Sequence, residues 1–499
     1  LVVTDHVMRL VAALLAASLV LTAWSDASQA WDVGYYHLPF AARLVGIIDS
    51  QSYVFTPLNQ ARFDGYPKLA EWLQGILWKV TGRAESANYV SLGSLFFFAW
   101  WLRRTFRVSA AYTLIACLAI PLVQTHAASA YVDLPANVGL TIVILIAYRH
   151  VTLRSIPSKA EWAFAVAAAA FAANIKFQLV PIVALSLVGL AFITLRQCHR
   201  KLRAACLIGA CIPIVFMTPL VNLLRFHNPV WPVQLRLFGR SLPFVEEAYA
   251  SSPEWLASLP RPVRWCASLS EFGLAPIASH NRWSIDQWTP PSAPGFRMGG
   301  FFGIYVLAIL VFLAASAVAR PSRASRVAFV FMGCVSAVAS VMPQSHELRY
   351  YLFWMLLLVS FALISAMSNV AKDDAGLRKS STRRFHRGVD VDSEPSAPER
   401  RRRTTFRTVW GWLSLGTLAC VIWSTQGVYL RRSGMSFRDL IAAKTDRAIV
   451  EHAGDGEHIC IMQPPWSFLY DRHFHPARTY VVHEAETPEE CSSARPTFR

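Results

Sequence analysis

Four charged residues stand where an apolar chain has most reason to exclude them. Asp32, Asp133, Lys176 and Arg349 each fall at the end of a long hydrophobic run, where a charge is costly unless paired and marks a functional site by default. Asp32 sits in Trp31-Asp32-Val33-Gly34-Tyr35-Tyr36-His37-Leu38-Pro39. Alone, that stretch suits either a functional carboxylate or an interfacial aromatic belt with one solvated Asp. Asp133 lies in Tyr131-Val132-Asp133-Leu134-Pro135. Pro135 suits a first helical turn, so Asp133 is either a helix N-cap worth about 1 kcal/mol or a ligand. Lys176, in Asn174-Ile175-Lys176-Phe177, either snorkels to water or holds a phosphate. In Gln344-Ser345-His346-Glu347-Leu348-Arg349-Tyr350-Tyr351, Arg349 either pairs with Glu347 to cap the next helix or offers phosphate oxygens its planar fork.

The elements that must position these groups are membrane spans. The chain has 499 residues, 54% hydrophobic and 16% charged, with mean hydropathy +0.35. A soluble chain of this length would carry more charge. Runs of about 20 apolar residues, enough to cross a bilayer, recur near 7–24, 87–102, 109–124, 134–148, 162–174, 178–195, 204–224, 299–319, 327–342, 351–368 and 408–426. The first, without a strong basic start, reads as an uncleaved helix rather than a signal peptide.

The loops test that eleven-span arrangement. One alternating set, taken with the N-terminus, holds 25 Lys and Arg against 8 Asp and Glu, while the other side has 23 of each. The formal +17 therefore falls wholly on one side. Basic loops stay cytoplasmic, which puts the N-terminus inside and the 427–499 tail outside, and the basicity needs no nucleic acid to explain it. Asp32, Asp133, Lys176 and Arg349 then share the outer face.

Residues 25–86 form an outer loop too apolar for a free linker. Leu38 to Ile48 and Lys68 to Val80 read as amphipathic helices on the membrane surface, joined through a turn at Asp64-Gly65-Tyr66-Pro67. A second outer region, 225–298, is rich in Pro, Trp and Arg, with short broken helices expected. Trp231, Trp255, Trp265, Trp283 and Trp288 suit headgroups, sugar rings or both. Segment 369–407, with its run Arg400 to Arg403, reads as a disordered basic cytoplasmic linker. In the tail, His458–Met462 and Arg478–Val482 read as strands of a small α/β region, and Cys460 and Cys491 as a disulfide if the compartment is oxidising. No cysteine spacing suggests zinc or iron–sulfur ligation.

Two carboxylates and two cations at one membrane face suit a lipid-phosphate sugar. The tail would lie between helices, the phosphate would meet Lys176 and Arg349, and the sugar would project beneath the roofing loop. In this the sequence resembles the C-type glycosyltransferases (GT-C), within the group that includes protein O-mannosyltransferases and aminoarabinose transferases. The resemblance rests on Asp32 with Tyr35-Tyr36-His37-Leu38-Pro39, Tyr66-Pro67-Lys68-Leu69 with Trp72, Tyr131 with Asp133, and Lys176. It also rests on Asn228-Pro229 with Pro232 and on Arg349-Tyr350-Tyr351, so it covers about the first 370 residues. Many members carry Asp-Glu in the first loop, where this chain has Asp32-Val33.

The resemblance implies an all-α polytopic module over 1–368, with a last span at 408–426 and the α/β region at 427–499. It implies an inverting transfer from a polyprenyl-phosphate sugar to a glycan, lipid or protein acceptor, with Asp32 as general base. Lys176 and Arg349 would stabilise the leaving phosphate. Asp133 would orient the acceptor, pair with a cation, or join Asp32 on a divalent ion, although no metal is expected outright. Tyr36, His37, Lys68, His346, Glu347 and Tyr350 complete the expected substrate contacts. The implied home is a bacterial inner membrane, with the active site and C-terminus periplasmic. A lipid-carrier polymerase or ligase would share substrate and face. A transporter or flippase is the non-enzyme rival, but it lacks here an internal repeat and charges near the centre of a span.

Overall fold

The structure, a computed structural model, describes residues 2–248, 257–269, 300–319, 322–367, 397–424, 430–462, 465–477 and 479–493. It is mostly helical. Helices α1 (Val2–Ser25), α5 (Tyr89–Phe106), α8 (Asp133–Leu153), α9 (Lys159–Ala173), α10 (Val180–Gln197), α14 (Gly303–Ala319), α15 (Arg323–Val341), α16 (Leu352–Met367) and α17 (Ala397–Ser424) make the bundle, together with two bent pairs. Among the described residues, five helical segments are long and apolar enough to cross a membrane, or seven if each bent pair counts once. Among the described residues, each of the eleven expected runs lies mainly on helix, so the positions agree while the count of spans is not fixed.

Helices α8 and α16 are apolar on every side and buried along almost their whole length, as a bundle's central helices must be. Around them, α10 leaves Leu185, Val188 and Phe192 exposed, and α15 leaves Phe329 and Val330 exposed. Apolar faces left open like this suit lipid.

Two expected straight spans are broken. The 109–124 run splits into α6 (Ala110–Leu118) and α7 (Pro121–Ala127), bent by 105°. Pro121 disfavours helical backbone at Ile120, which lies at ψ 118°. The 204–224 run splits into α11 (Lys201–Val215) and α12 (Met217–Phe226), bent by 68°. Asn174 holds the second break: its Oδ1 accepts from Thr218 N–H and Oγ1, both at 2.9 Å. That satisfies one of the backbone donors a new helix start leaves orphaned.

The first loop holds α2 (Leu38–Leu44), which ends four residues before the expected Ile48 and buries Leu38–Ala42 in protein, with strand β1 (Tyr53–Val54), α3 (Pro57–Gly65) and α4 (Leu69–Thr81) after it; together they form a roof. Helices α2 and α4 cross closely at Gly75, where a Cβ would lie 2.4 Å from Ala41 O. Helix α4 turns Glu71, Gln74 and Trp78 inward and leaves Trp72 and Val80 exposed. Helix α3 was not foreseen; Thr56 Oγ1 caps it by accepting from Asn59 N–H at 3.1 Å, with Pro57 in its first turn.

The second outer region has a two-residue hairpin, β2 (Arg236–Leu237) with β3 (Arg240–Ser241). Phe238 and Gly239 at its tip both have positive φ, the geometry that matches strand twist. A short helix, α13 (Arg261–Leu269), follows. Trp231 packs on Gly65, and Trp265 lies 5.2 Å from Trp354; Trp255, Trp283 and Trp288 lie outside the described residues.

The tail contributes α18 (Phe437–Lys444), α19 (Arg447–His452), β4 (His458–Ile461), β5 (Val481–Glu484) and α20 (Pro488–Ser493). Strand β5 starts three residues later than expected, and Arg478 lies outside the described residues. The expected Cys460–Cys491 disulfide is present. In contrast with a free-standing region, β5 pairs in parallel with both β4 and the roof's β1. Phe437, Leu440, Phe468 and Val482 share one apolar core with Val33, Phe40 and Tyr53. Helix α17 begins at Ala397, inside the expected 369–407 linker, whose residues up to 396 lie outside the described part.

Candidate active site

Where the roof meets the bundle, four elements bring their charges together. Asp32 opens a π-helical turn, Val33–His37, that leads into α2; such turns are rare and cluster at functional sites. Arg349 lies in a 3₁₀ turn, Leu348–Tyr351, ahead of α16. Asp133 is the first residue of α8, and Lys176 lies between α9 and α10.

Two ion pairs result. Arg349 Nη1 donates to Asp32 Oδ2 at 2.7 Å, and Lys176 donates to Asp133 Oδ1. Tyr350 stands between the two cations. Its hydroxyl accepts from Arg349 Nη2 at 3.2 Å, and its ring centroid lies 4.3 Å from Lys176 Nζ. Burial pushes the Asp32 carboxyl up, but Arg349 and the neighbouring positive groups outweigh it and hold it below the ordinary carboxylate value.

Val132, not Asp133, is the N-cap of α8, and the Asp133 side chain accepts from Lys176. Its second oxygen, Oδ2, lies 3.6 Å from His126 Nε2, and neither atom has a hydrogen-bond partner among the described residues. His126 reaches Asp133 because α6 and α7 are broken, and its Nδ1 donates to Leu122 O at 2.6 Å. Sequence reasoning missed it, since a histidine just past the end of the expected 109–124 span carries no mark of what it will face. Asn137, one turn into α8, was missed too. Its Nδ2 donates to Asp133 O at 2.7 Å and Arg349 O at 3.3 Å, while its Oδ1 accepts from Phe353 N–H at 2.9 Å. One amide thus ties the backbones of Asp133 and Arg349 together.

The other expected residues divide. Tyr36 joins the charges, within the field of Asp32, Arg349 and Tyr350, with its ring 6.0 Å from that of Tyr66. His37 points away: its Nδ1 bonds Glu71 Oε1 at 2.8 Å, both side chains buried, so it fastens the turn to α4. Lys68 is occupied by the carbonyls of Phe63 and Tyr66 and closes the α3–α4 turn. His346 and Glu347 are buried, 4.0 Å apart, just ahead of Arg349.

Among the described residues no group of three or more His, Cys, Asp or Glu could hold a metal ion. Asp32 and Asp133, the two carboxylates open to such a role, are instead each engaged by a cation.

No protein-family model matches the chain, and no curated protein matches it. Among solved structures it is similar to ArnT from Cupriavidus metallidurans in the apo state, at 14% identity and TM-score 0.49, covering 99% of this chain and 88% of that one. ArnT bound to undecaprenyl phosphate gives 13% identity and TM-score 0.48, covering 98% and 88%. The archaeal oligosaccharyltransferase AglB from Archaeoglobus fulgidus, in complex with an inhibitory peptide and a dolichol-phosphate, gives 11% and 0.40, covering 95% and 64%. The likenesses are distant.

Proposed function

We propose that this chain is a membrane glycosyltransferase that moves a sugar from a polyprenyl-phosphate donor to an acceptor hydroxyl. The observation that carries the reading is the pair of ion pairs, Asp32–Arg349 and Asp133–Lys176, bridged by Tyr350. Without substrate the two acids neutralise the two cations. An arriving phosphate competes for those cations, and charge-assisted hydrogen bonds favour it. Arg349, with several N–H donors, can turn one toward phosphate and keep another on Asp32.

In the transfer, Asp32 takes the proton from the acceptor hydroxyl as that oxygen bonds to the anomeric carbon. The bond from that carbon to the phosphate oxygen breaks on the opposite side, so the centre inverts. The leaving polyprenyl phosphate keeps the electron pair, and Lys176 and Arg349 meet its growing charge. General-base help of this kind is typically worth about 10²–10⁴-fold.

By this reading residues 1–368 are the catalytic module, 369–407 a basic linker, 408–426 a last span and 427–499 an outer region. The membrane is a bacterial inner membrane, with the N-terminus cytoplasmic and the site and C-terminus periplasmic. The positive-inside asymmetry of the loops supports that orientation.

The test is transfer by purified protein in nanodiscs, from a panel of radiolabelled polyprenyl-phosphate sugars, beside Asp32→Asn. Release of free polyprenyl phosphate by wild type alone is expected. Donor binding that does not need Lys176 and Arg349, with no transfer from any donor, overturns the reading.

A further inference from the structure

The C-terminal tail reaches the reacting carboxylate through one contact. Trp466 lays its indole on Gly34, two residues after Asp32 and inside the π turn. A Cβ on Gly34 would lie 2.5 Å from Trp466 Cζ3 and 2.6 Å from Cε3. That is nearer than any real side chain approaches a ring, so only glycine fits beneath the indole.

Trp466 is itself held firmly. It is 5% exposed within the core shared by roof and tail. The 3₁₀ turn that follows, Ser467–Tyr470, is pinned from both sides. Ser467 Oγ donates to Glu484 Oε1 at 3.0 Å and lies 2.8 Å from the Tyr53 hydroxyl. Glu484 Oε2 accepts from Asn59 Nδ2 at 3.0 Å and from Thr56 N–H at 3.3 Å. Tail strand β5, roof strand β1 and the start of α3 thus set where the indole lies, and the indole sets where Gly34 can be. On the turn's other side, Glu71 holds His37. Asp32 and Tyr36 leave this turn toward Arg349 and Tyr350.

We propose that Trp466 is a positioning residue for the transfer reaction: seated on Gly34, it holds the π turn that presents Asp32, and so makes the C-terminal tail a working part of the active site. The role rests on the glycosyltransferase reading above. Trp466 is not among the residues proposed to meet the donor phosphate or the acceptor hydroxyl. It acts through Gly34 on the direction of the Asp32 carboxylate, and a base misplaced by about 1 Å can lose on the order of 10²-fold. The donor's phosphate ligands, Lys176 between α9 and α10 and Arg349 ahead of α16, belong to the bundle and lie outside this turn.

The experiment is a double-mutant cycle on the full-length protein in nanodiscs: wild type, Gly34→Ala, Trp466→Ala and the double variant, with Trp466→Phe beside them. Each is measured for kcat, for affinity toward polyprenyl phosphate, and for melting temperature without ligand. Trp466→Ala is expected to lower kcat about 10- to 100-fold with phosphate-lipid affinity within about twofold, and Trp466→Phe to lose markedly less. Gly34→Ala is expected to lose turnover because its methyl meets the indole. Adding Trp466→Ala should recover part of that loss, so the two substitutions fall short of additive.

Wild-type kcat in Trp466→Ala overturns the inference. So does a Gly34→Ala loss that is the same with and without the indole, or a loss of affinity and melting temperature in step with kcat. A wild type that transfers no sugar overturns the functional reading and this role with it. A wild type that transfers, with no coupling in either kcat or melting temperature, overturns the role alone.

Discussion

Arg349 donates to Asp32 at 2.7 Å across 317 positions of sequence. The contact joins the turn before α16 to the loop that leaves α1, and makes the candidate base and the candidate phosphate ligand one unit. Either residue altered alone takes a close ion-pair partner from a buried charge, which is destabilising. Tests of the site must therefore separate chemistry from folding.

Asp32→Asn keeps the shape and can still accept a hydrogen bond from Arg349. It should lower transfer by about 10²–10⁴-fold while polyprenyl-phosphate affinity stays close to wild type. Turnover within a few-fold of wild type in a steady-state assay would remove Asp32 as the base.

Lys176→Met removes a charge but keeps a long apolar stem for the Tyr350 ring to pack on. Donor affinity should fall by about tenfold or more, as the loss of one charge-assisted hydrogen bond implies. The weakening should appear in titrations with polyprenyl phosphate alone. A change confined to acceptor affinity contradicts the phosphate assignment.

Asn137→Ala should destabilise the protein and slow transfer together. It removes the one amide that bonds Asp133 O, Arg349 O and Phe353 N–H. A buried polar group left unsatisfied costs about 1–3 kcal/mol. Melting temperature and kcat should both fall, and Asn137→Gln, whose amide lies one carbon too far, should not restore them.

The roof–tail contact should weaken as pH rises. Burial pushes the Glu484 carboxyl above its ordinary value, against the hydrogen bonds from Asn59, Ser467, Thr56 and Tyr53. In the window between its unfolded and folded pKa values the folded protein binds the extra proton. Stability from this group is therefore full below the unfolded value and lost as pH climbs through the folded one. Glu484→Gln should flatten that part of a plot of melting temperature against pH; an unchanged slope contradicts the assignment.

Reduction should loosen the tail. The Cys460–Cys491 bridge closes a loop of 31 residues, worth about 2–4 kcal/mol by loop entropy. Alkylation before and after reductant, read by mass, should show two further labelled thiols. The melting temperature should drop at the same time.

By itself the sequence determined where helices run and which charges end them, because both are local. An apolar run of bilayer length is helical wherever it lies, and a charge at its end is visible without the fold. Asp32, Asp133, Lys176, Arg349, Tyr36 and Tyr350 were legible for that reason, as was the Cys460–Cys491 bridge. Pairing was not legible. That Arg349 takes Asp32 while Lys176 takes Asp133 depends on which helix ends become neighbours, and no period or spacing states the order of helices in a bundle. The breaks before Pro121 and Met217 read as continuous apolar sequence, and the first of them carries His126 to Asp133. Nor was it legible that Lys68, expected as a substrate contact, would bond the carbonyls of Phe63 and Tyr66, or that His37 would bond Glu71. The tail showed two strands but not that β5 would pair with the roof. Nor could any local pattern show that Gly34 is small because an indole more than 400 positions away lies against it. Such contacts are set by close packing between distant segments, a property of the assembled interior alone.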